Sequence, residues 1–159
     1  MNVIDEGEGV FRVEFGEGEH SIPVAEFYRR ADIVELHLPN GVEEIGERAF
    51  CFCHNLKKLY MPSSVKRLGK NLFYGITKTE VIFDGTEEEF LTLAKPYKKF
   101  VQVQVPGPYD KQPYCNTDGT YYEEREQWQY FDGFCRELRV NCKDDKQLYY
   151  GYSNPFKGK

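Results

Sequence analysis

Histidine is scarce in this chain: 159 residues contain three, His20, His37 and His54. No serine stands in a G-x-S-x-G elbow, so the usual nucleophile–base pairings have little to draw on. No D-x-D-x-D-G calcium loop occurs. The G-x-G pieces in GEGVF and GEGEH should precede strands, and their glutamates would repel a phosphate. This inventory predicts no enzyme and no cofactor. Long apolar runs are also missing, so no stretch reads as a membrane-spanning helix. The opening MNVIDEGEGV has neither the basic nor the apolar part of a secretory leader. Taken as the native start, it predicts a cytoplasmic protein with reduced thiols; with a leader removed beforehand, the chain would be secreted or held at the cell surface. Five cysteines, an odd number without a framework spacing, agree with reduced thiols. Basic residues are outnumbered 21 to 26, leaving a net charge of −5. Phosphate backbones and anionic lipid are therefore not expected as partners: no nucleic acid, no membrane.

What the chain has in quantity is aromatic residues, 12 Tyr and 12 Phe, and a repeat. IVELHLPNGVEEIGERAFCFCHNL (33–56) aligns with LKKLYMPSSVKRLGKNLFYGITKT (56–79). Leu36 falls on Leu59, Leu38 on Met61, Pro39 on Pro62, Val42 on Val65, Ile45 on Leu68, Gly46 on Gly69 and Phe50 on Phe73, each 23 residues apart. The same ruler laid upstream meets Val13, Phe15, Ile22 and Phe27, and laid downstream it meets Ile82 before FDGTEEEFLTL departs from the pattern. About three repeats result. The pattern L-x-x-L-x-L-P-x-x-V-x-x-I-G-x-x-A-F-x-x-C-x-x-L resembles the leucine-rich repeats of the BspA-like family, and VIFDGTEEEFLTL looks like that family's exit from its array. The resemblance implies an α/β fold: a short right-handed leucine-rich-repeat solenoid with parallel strands on its concave side. It does not by itself imply a function.

Within a repeat, Leu36 and Leu38 alternate with Glu35 and His37 at the strand period of two, so the leucines point inward. AFCFCHNL (49–56) is then mostly core. Cys53 occupies a buried position beneath the turn, where the next copy has Ile76, and Cys51 and His54 on the convex turn lack partners at metal-ligand spacing. Gly46 supplies a backbone angle or a close approach. Val10 and Phe11 are expected to cap the first coil. Thr86 and Glu89 form a capping box for a helix over 86–95 that closes the last coil, stopped by Pro96.

Two outward columns follow from the 23-residue ruler: Arg12, Glu35, Lys58, Val81 and Glu14, His37, Tyr60, Phe83. The first reads as a charge ladder. The second places His37, Tyr60 and Phe83 in an aromatic strip, which either lies under the C-terminal tail or binds a partner. The expected organisation is a solenoid over 1–105 and a small aromatic-rich α+β module over 106–159. In that module YCNTDGTYY and LRVNCKDDKQLYYGYSNPF read as hairpins. YEEREQWQYFDGFCREL (122–138) reads as a helix through Trp128, Phe131, Cys135 and Leu138. Tyr149, Tyr150 and Tyr152 are candidate contact residues of the tail. The expected function is a non-catalytic protein-binding module, an adaptor or inhibitor of a protein target, using His37, Tyr60, Phe83, Glu35 and Lys58, the tyrosines of the C-terminal half, or both. The alternative is a secreted or surface adhesin-type fragment binding host protein or glycan, in which Cys115 and Cys142 could be bridged. Self-association through the solenoid ends or the tail is open under either reading.

Overall fold

The computed structural model describes residues 1–94, 99–106, 120–127 and 137–151, with 99–106, 120–127 and 149–151 as backbone. In chain order the elements are β1 (Asn2–Gly7), β2 (Val10–Glu14), β3 (Ser21–Ile22), β4 (Glu35–His37), β5 (Glu44–Ile45), β6 (Lys58–Pro62), β7 (Arg67–Leu68), β8 (Lys78–Asp84), α1 (Glu87–Leu93), β9 (Lys99–Pro106), β10 (Thr120–Gln127), β11 (Glu137–Cys142) and β12 (Gln147–Gly151). Each coil lays one strand in a large sheet, turns, lays a two-residue strand in a small sheet, and returns. The large sheet has nine strands in the order β1-β2-β4-β6-β8-β11-β12-β9-β10; the small one is β3-β5-β7. Strands β2, β4, β6, β8 and β11 run parallel to one another. The result is a mostly-strand solenoid of about three coils with one helix among the described residues.

The coils are bound to each other on every side. Beyond the two sheets, the return turns carry a third ladder: Phe27 N–H donates to Ala49 O at 2.9 Å and Phe50 N–H to Leu72 O at 3.1 Å. Inside, the repeat drives the same residue type into the same place in each coil. Phe27, Phe50 and Phe73 form a spine with centroid separations of 5.8 and 5.6 Å. Cys53 lies in this core and its Sγ donates to Phe27 O at 2.8 Å. Burial pushes its thiol pKa up to about 11. Gly46 and Gly69 are demanded by close approach: a Cβ on Gly69 would stand 2.3 Å from the backbone nitrogen of Glu47.

The return turn also needs left-handed backbone at two places per coil. Ala25, Arg48 and Asn71 (φ 55°, 58° and 54°) form one row and Arg29, Phe52 and Gly75 (φ 62°, 60° and 83°) the other. Each row steps by the 23-residue period. Only Gly75 adopts this conformation without steric cost.

Both caps exist. The hairpin β1–β2 closes the first coil, with Phe11 buried and Val10 half-buried. The helix α1 closes the last, its N-cap Thr86 bonded reciprocally with Glu89, and buries Phe90 and Leu93, with Phe90 edge-on to Phe83 at 5.3 Å. Pro96 lies outside the described residues.

Two sequence expectations are corrected. Residues 122–127 are strand, not helix: β10 pairs with β9 along eight residues, from Thr120 opposite Pro106 to Gln127 opposite Lys99. The alternating KFVQVQVP supplies a long-range partner that a local helical spacing cannot reveal. Leu138 likewise belongs to β11, while Trp128, Phe131 and Cys135 lie outside the described residues. The hairpin expected after residue 138 is present as β11–β12. Its strand β11 inserts beside β8, so Leu138, Val140, Cys142 and Leu148 share the core of the repeats.

The second correction concerns register. Val10, not Arg12, stands opposite Glu35, and Lys58 stands opposite Glu80, not Val81. The coil spacing is thus 25, 23 and 22 residues. Because strand side chains alternate, the one-residue slip in the last coil turns Val81 and Phe83 inward, where they are 0% and 2% exposed.

Candidate functional site

The outer face of the large sheet carries two columns once the register is set by the ladder. One reads Val10, Glu35, Lys58, Glu80 and Arg139; the other reads Arg12, His37, Tyr60, Ile82 and Asn141. Rungs in each are about 4.8 Å apart, the inter-strand spacing. Phe83 drops out of the expected aromatic strip because it is core, and Ile82 takes its rung. Glu35, Lys58, His37 and Tyr60 stand where the sequence placed them.

His37 and Tyr60 are the centre of this face. Their rings are stacked, centroids 4.1 Å apart and planes within 8°. His37 Nε2 lies 2.7 Å from Glu35 Oε1. An ionised carboxylate only accepts, so Nε2 carries the proton and donates. That bond, together with β4–β6 pairing, holds the imidazole flat on the phenol ring. Both rings are half-buried, with the remaining surface turned to solvent. Arg12, next in the column, bonds Glu6 and Glu14, and these carboxylates raise its pKa. It marks the N-terminal end of the strip as a fixed ion-pair cluster.

Two hollows flank the stack. One, of about 530 Å³, is bordered by Arg12, Phe15, His37 and Asn40. The other, of about 430 Å³, is bordered by Asn40, Tyr60, Ile82, Asp84 and Asn141. The stack is therefore a ridge between two depressions. The fixed ruler put Arg12 in the other column and Ile82 in the inward row, and it did not reach Asn141. The signal for Ile82 was the alternation Thr79, Val81, Phe83, which is as regular as the repeat.

Tyr149 and Tyr150 lie on β12 opposite Arg139 and Leu138; Tyr152 is outside the described residues. Cys142 is buried with its thiol pKa pushed up to about 12 by desolvation, and Cys115 is outside the described residues. Around AFCFCHNL the three side chains diverge: Cys53 bonds Phe27 O, Cys51 is buried and His54 is exposed against Phe52. Among the described residues no three His, Cys, Asp or Glu side chains gather where they could hold a metal ion.

Residues 15–91 match the family described as BspA type leucine rich repeat region (6 copies). No curated protein and no solved structure matches the chain. The matched segment spans the stacked coils and ends within α1, so sequence family and observed architecture coincide: residues 15–91 are a leucine-rich repeat region of BspA type.

Proposed function

We propose that this chain is a non-catalytic protein-binding module, an adaptor or inhibitor of one protein target, and that it takes its partner on the outer face of the large sheet. The observation that carries this reading is the half-exposed His37–Tyr60 stack, held rigid by Glu35 and raised between two hollows. A preorganised aromatic ridge loses little side-chain freedom on binding, which is what an interface anchor needs. Glu35, Lys58, Glu80 and Arg139 alternate beside it and supply charge complementarity rather than bulk affinity. A repeat array is an interaction scaffold in general, and this family is typically non-catalytic.

The test is affinity co-purification with the full chain, run beside a variant carrying His37→Ala, Tyr60→Ala and Ile82→Ala. These side chains point out of the sheet, so the variant keeps the fold. A partner captured by the native chain and lost by the variant supports the sheet face. A partner retained by both moves the contact to the C-terminal half, where Tyr149, Tyr150 and Tyr152 are the next residues to replace. Phe83→Ala is unsuitable, because that ring is core and its loss would report on folding.

A further inference from the structure

The return turns on the opposite side of the coil hold a second site. The repeat places Tyr28 and Tyr74 at the same position two coils apart, and the coil between them has Cys51 there. Cys51 is small and buried, so the outward volume that a third tyrosine would take is vacant. A hollow of about 350 Å³ results, bordered by Tyr28, Arg48, Cys51, Phe52, Asn71 and Tyr74. Tyr28 and Tyr74 are 40% and 55% exposed, among the most exposed large apolar side chains described. Phe52 stands edge-on to both, at 5.8 and 5.6 Å.

The cations at this hollow are positioned as receptors. Arg29 lays its guanidinium over Tyr28 and Phe52, 5.3 and 5.6 Å from their centroids. A guanidinium held over aromatic rings spends no N–H donor on an oxygen there, which leaves its donors for a carboxylate. Arg48 stands 3.7 Å from Glu47, beyond hydrogen-bond length, so its donors are not consumed there. Arg48 borders the hollow, and Arg29 lies against two of its border rings.

The backbone gives an independent reason to see selection for these side chains. Arg29, Arg48 and Phe52 all sit in left-handed turn positions. The other coils have Ala25 and Asn71 in the row of Arg48, and Gly75 in the row of Arg29 and Phe52, so neither row requires a bulky side chain. A bulky residue there is costly. Arg48 and Phe52 border the hollow, Arg29 packs against two of its rings, and turn formation requires none of the three.

We propose that this turn face binds an acidic peptide segment of a protein partner, with an aromatic or aliphatic side chain entering the hollow between Tyr28 and Tyr74 and flanking carboxylates meeting Arg29 and Arg48. The charge of the cluster selects the occupant: the chain is acidic overall, and here it presents two exposed arginines beside aromatic surface. This site is separate from the sheet face and does not depend on it.

The experiment is an NMR titration of the full chain with three nine-residue probes: alternating glutamate and phenylalanine, alternating lysine and phenylalanine, and alternating glutamate and alanine. The glutamate–phenylalanine probe should shift the ring signals of Tyr28, Phe52 and Tyr74 saturably, and each of the others should bind at least tenfold more weakly. Replacing Arg29→Asn and Arg48→Asn together should weaken the first probe at least tenfold while leaving the melting temperature equal or higher, since asparagine suits the left-handed backbone. That pairing of lost binding with kept stability separates recognition from a structural role. Equal binding of the lysine probe would overturn the proposal, as would shifts centred on His37 and Tyr60. So would ring shifts that depend on protein concentration alone, which would make a second copy of the chain the occupant.

Discussion

Two columns of aromatic rings climb this solenoid, one inside and one outside, and their spacing is the same. Phe27, Phe50 and Phe73 are separated by 5.8 and 5.6 Å; Tyr28, Phe52 and Tyr74 are also separated by 5.8 and 5.6 Å. The stacking of the coils sets both. What differs is tilt and water. The inner rings lie within 14° and 21° of parallel, the outer ones meet at 79° and 80°. The inner rings are 0–1% exposed, whereas Tyr28 and Tyr74 face solvent. Ring distance is thus held constant while burial changes, and the comparison teaches that stability should follow burial, leaving the outer rings available for recognition.

The sharpest way to break that comparison is Phe50→Ala. The ring is fully buried and stacked on both neighbours, so its loss should cost about 4 kcal/mol. That is a large part of a typical domain's stability of roughly 5–15 kcal/mol. A three-coil array cannot contain the damage, because each coil is stabilised by its neighbours. Urea denaturation reads this directly; a loss below about 1 kcal/mol would mean that the inner column is no more important than the outer.

Gly69→Ala is the next largest and acts on the spacing that both columns share. Its new methyl group would meet the backbone of Glu47, which cannot rotate away as a side chain would. Forcing the coils apart should cost about 1–3 kcal/mol. Both the inner and the outer ring pairs should show altered ring shifts by NMR. Unchanged stability would show that the coils are less tightly docked than their distances indicate.

The two thiols near the columns sharpen the comparison through pH. Cys53, beside the inner spine, is held to about 11 by burial, against an ordinary thiol value of 9.0. Burial also raises Cys51 on the outer side, but Arg48 and Arg29 oppose the rise. A thiol that keeps its proton more firmly in the folded chain stabilises it below the unfolded value, and that contribution is lost as pH climbs from about 9 through about 11. The urea midpoint should therefore fall across this interval. Cys53→Ala should flatten the fall clearly and Cys51→Ala much less; equal flattening by the two would remove the distinction between the environments.

The inner column was legible in the sequence because Phe50 and Phe73 keep a strict period and the residues around them keep their apolar class. The outer face of the large sheet was half legible. Glu35, His37, Lys58 and Tyr60 belong to the two coils that are 23 residues apart, so the ruler placed them correctly. It failed at both ends, where the first coil is longer by two residues and the last shorter by one, so Arg12 changed column and Phe83 changed face. Loop length carries no apolar pattern, whereas the alternation of Thr79, Val81 and Phe83 did. Over 122–127 the expected helix failed for another reason: helical spacing is a local signal, and the strand 120–127 is decided by pairing with residues 99–106. The outer column escaped notice because Tyr28 and Tyr74 are matched two coils apart, with Cys51 interrupting the row.

Tyr74→Ala is expected to have the smallest effect and completes the comparison. Its ring meets Phe52 by one edge and is more than half exposed. Truncation should cost about 0.5–1 kcal/mol, the value of an edge-to-face pair without much added burial. Against Phe50→Ala, at the same ring separation, this is a difference of several-fold in stability measured by the same urea titration. A cost near that of Phe50→Ala would mean that the outer column supports the turns as the spine supports the core, and the exposed rings would then be needed for the fold. A cost within the expected range leaves Tyr74 exposed at little structural benefit, which is the condition under which its persistence beside Arg48 is explained by what it contacts.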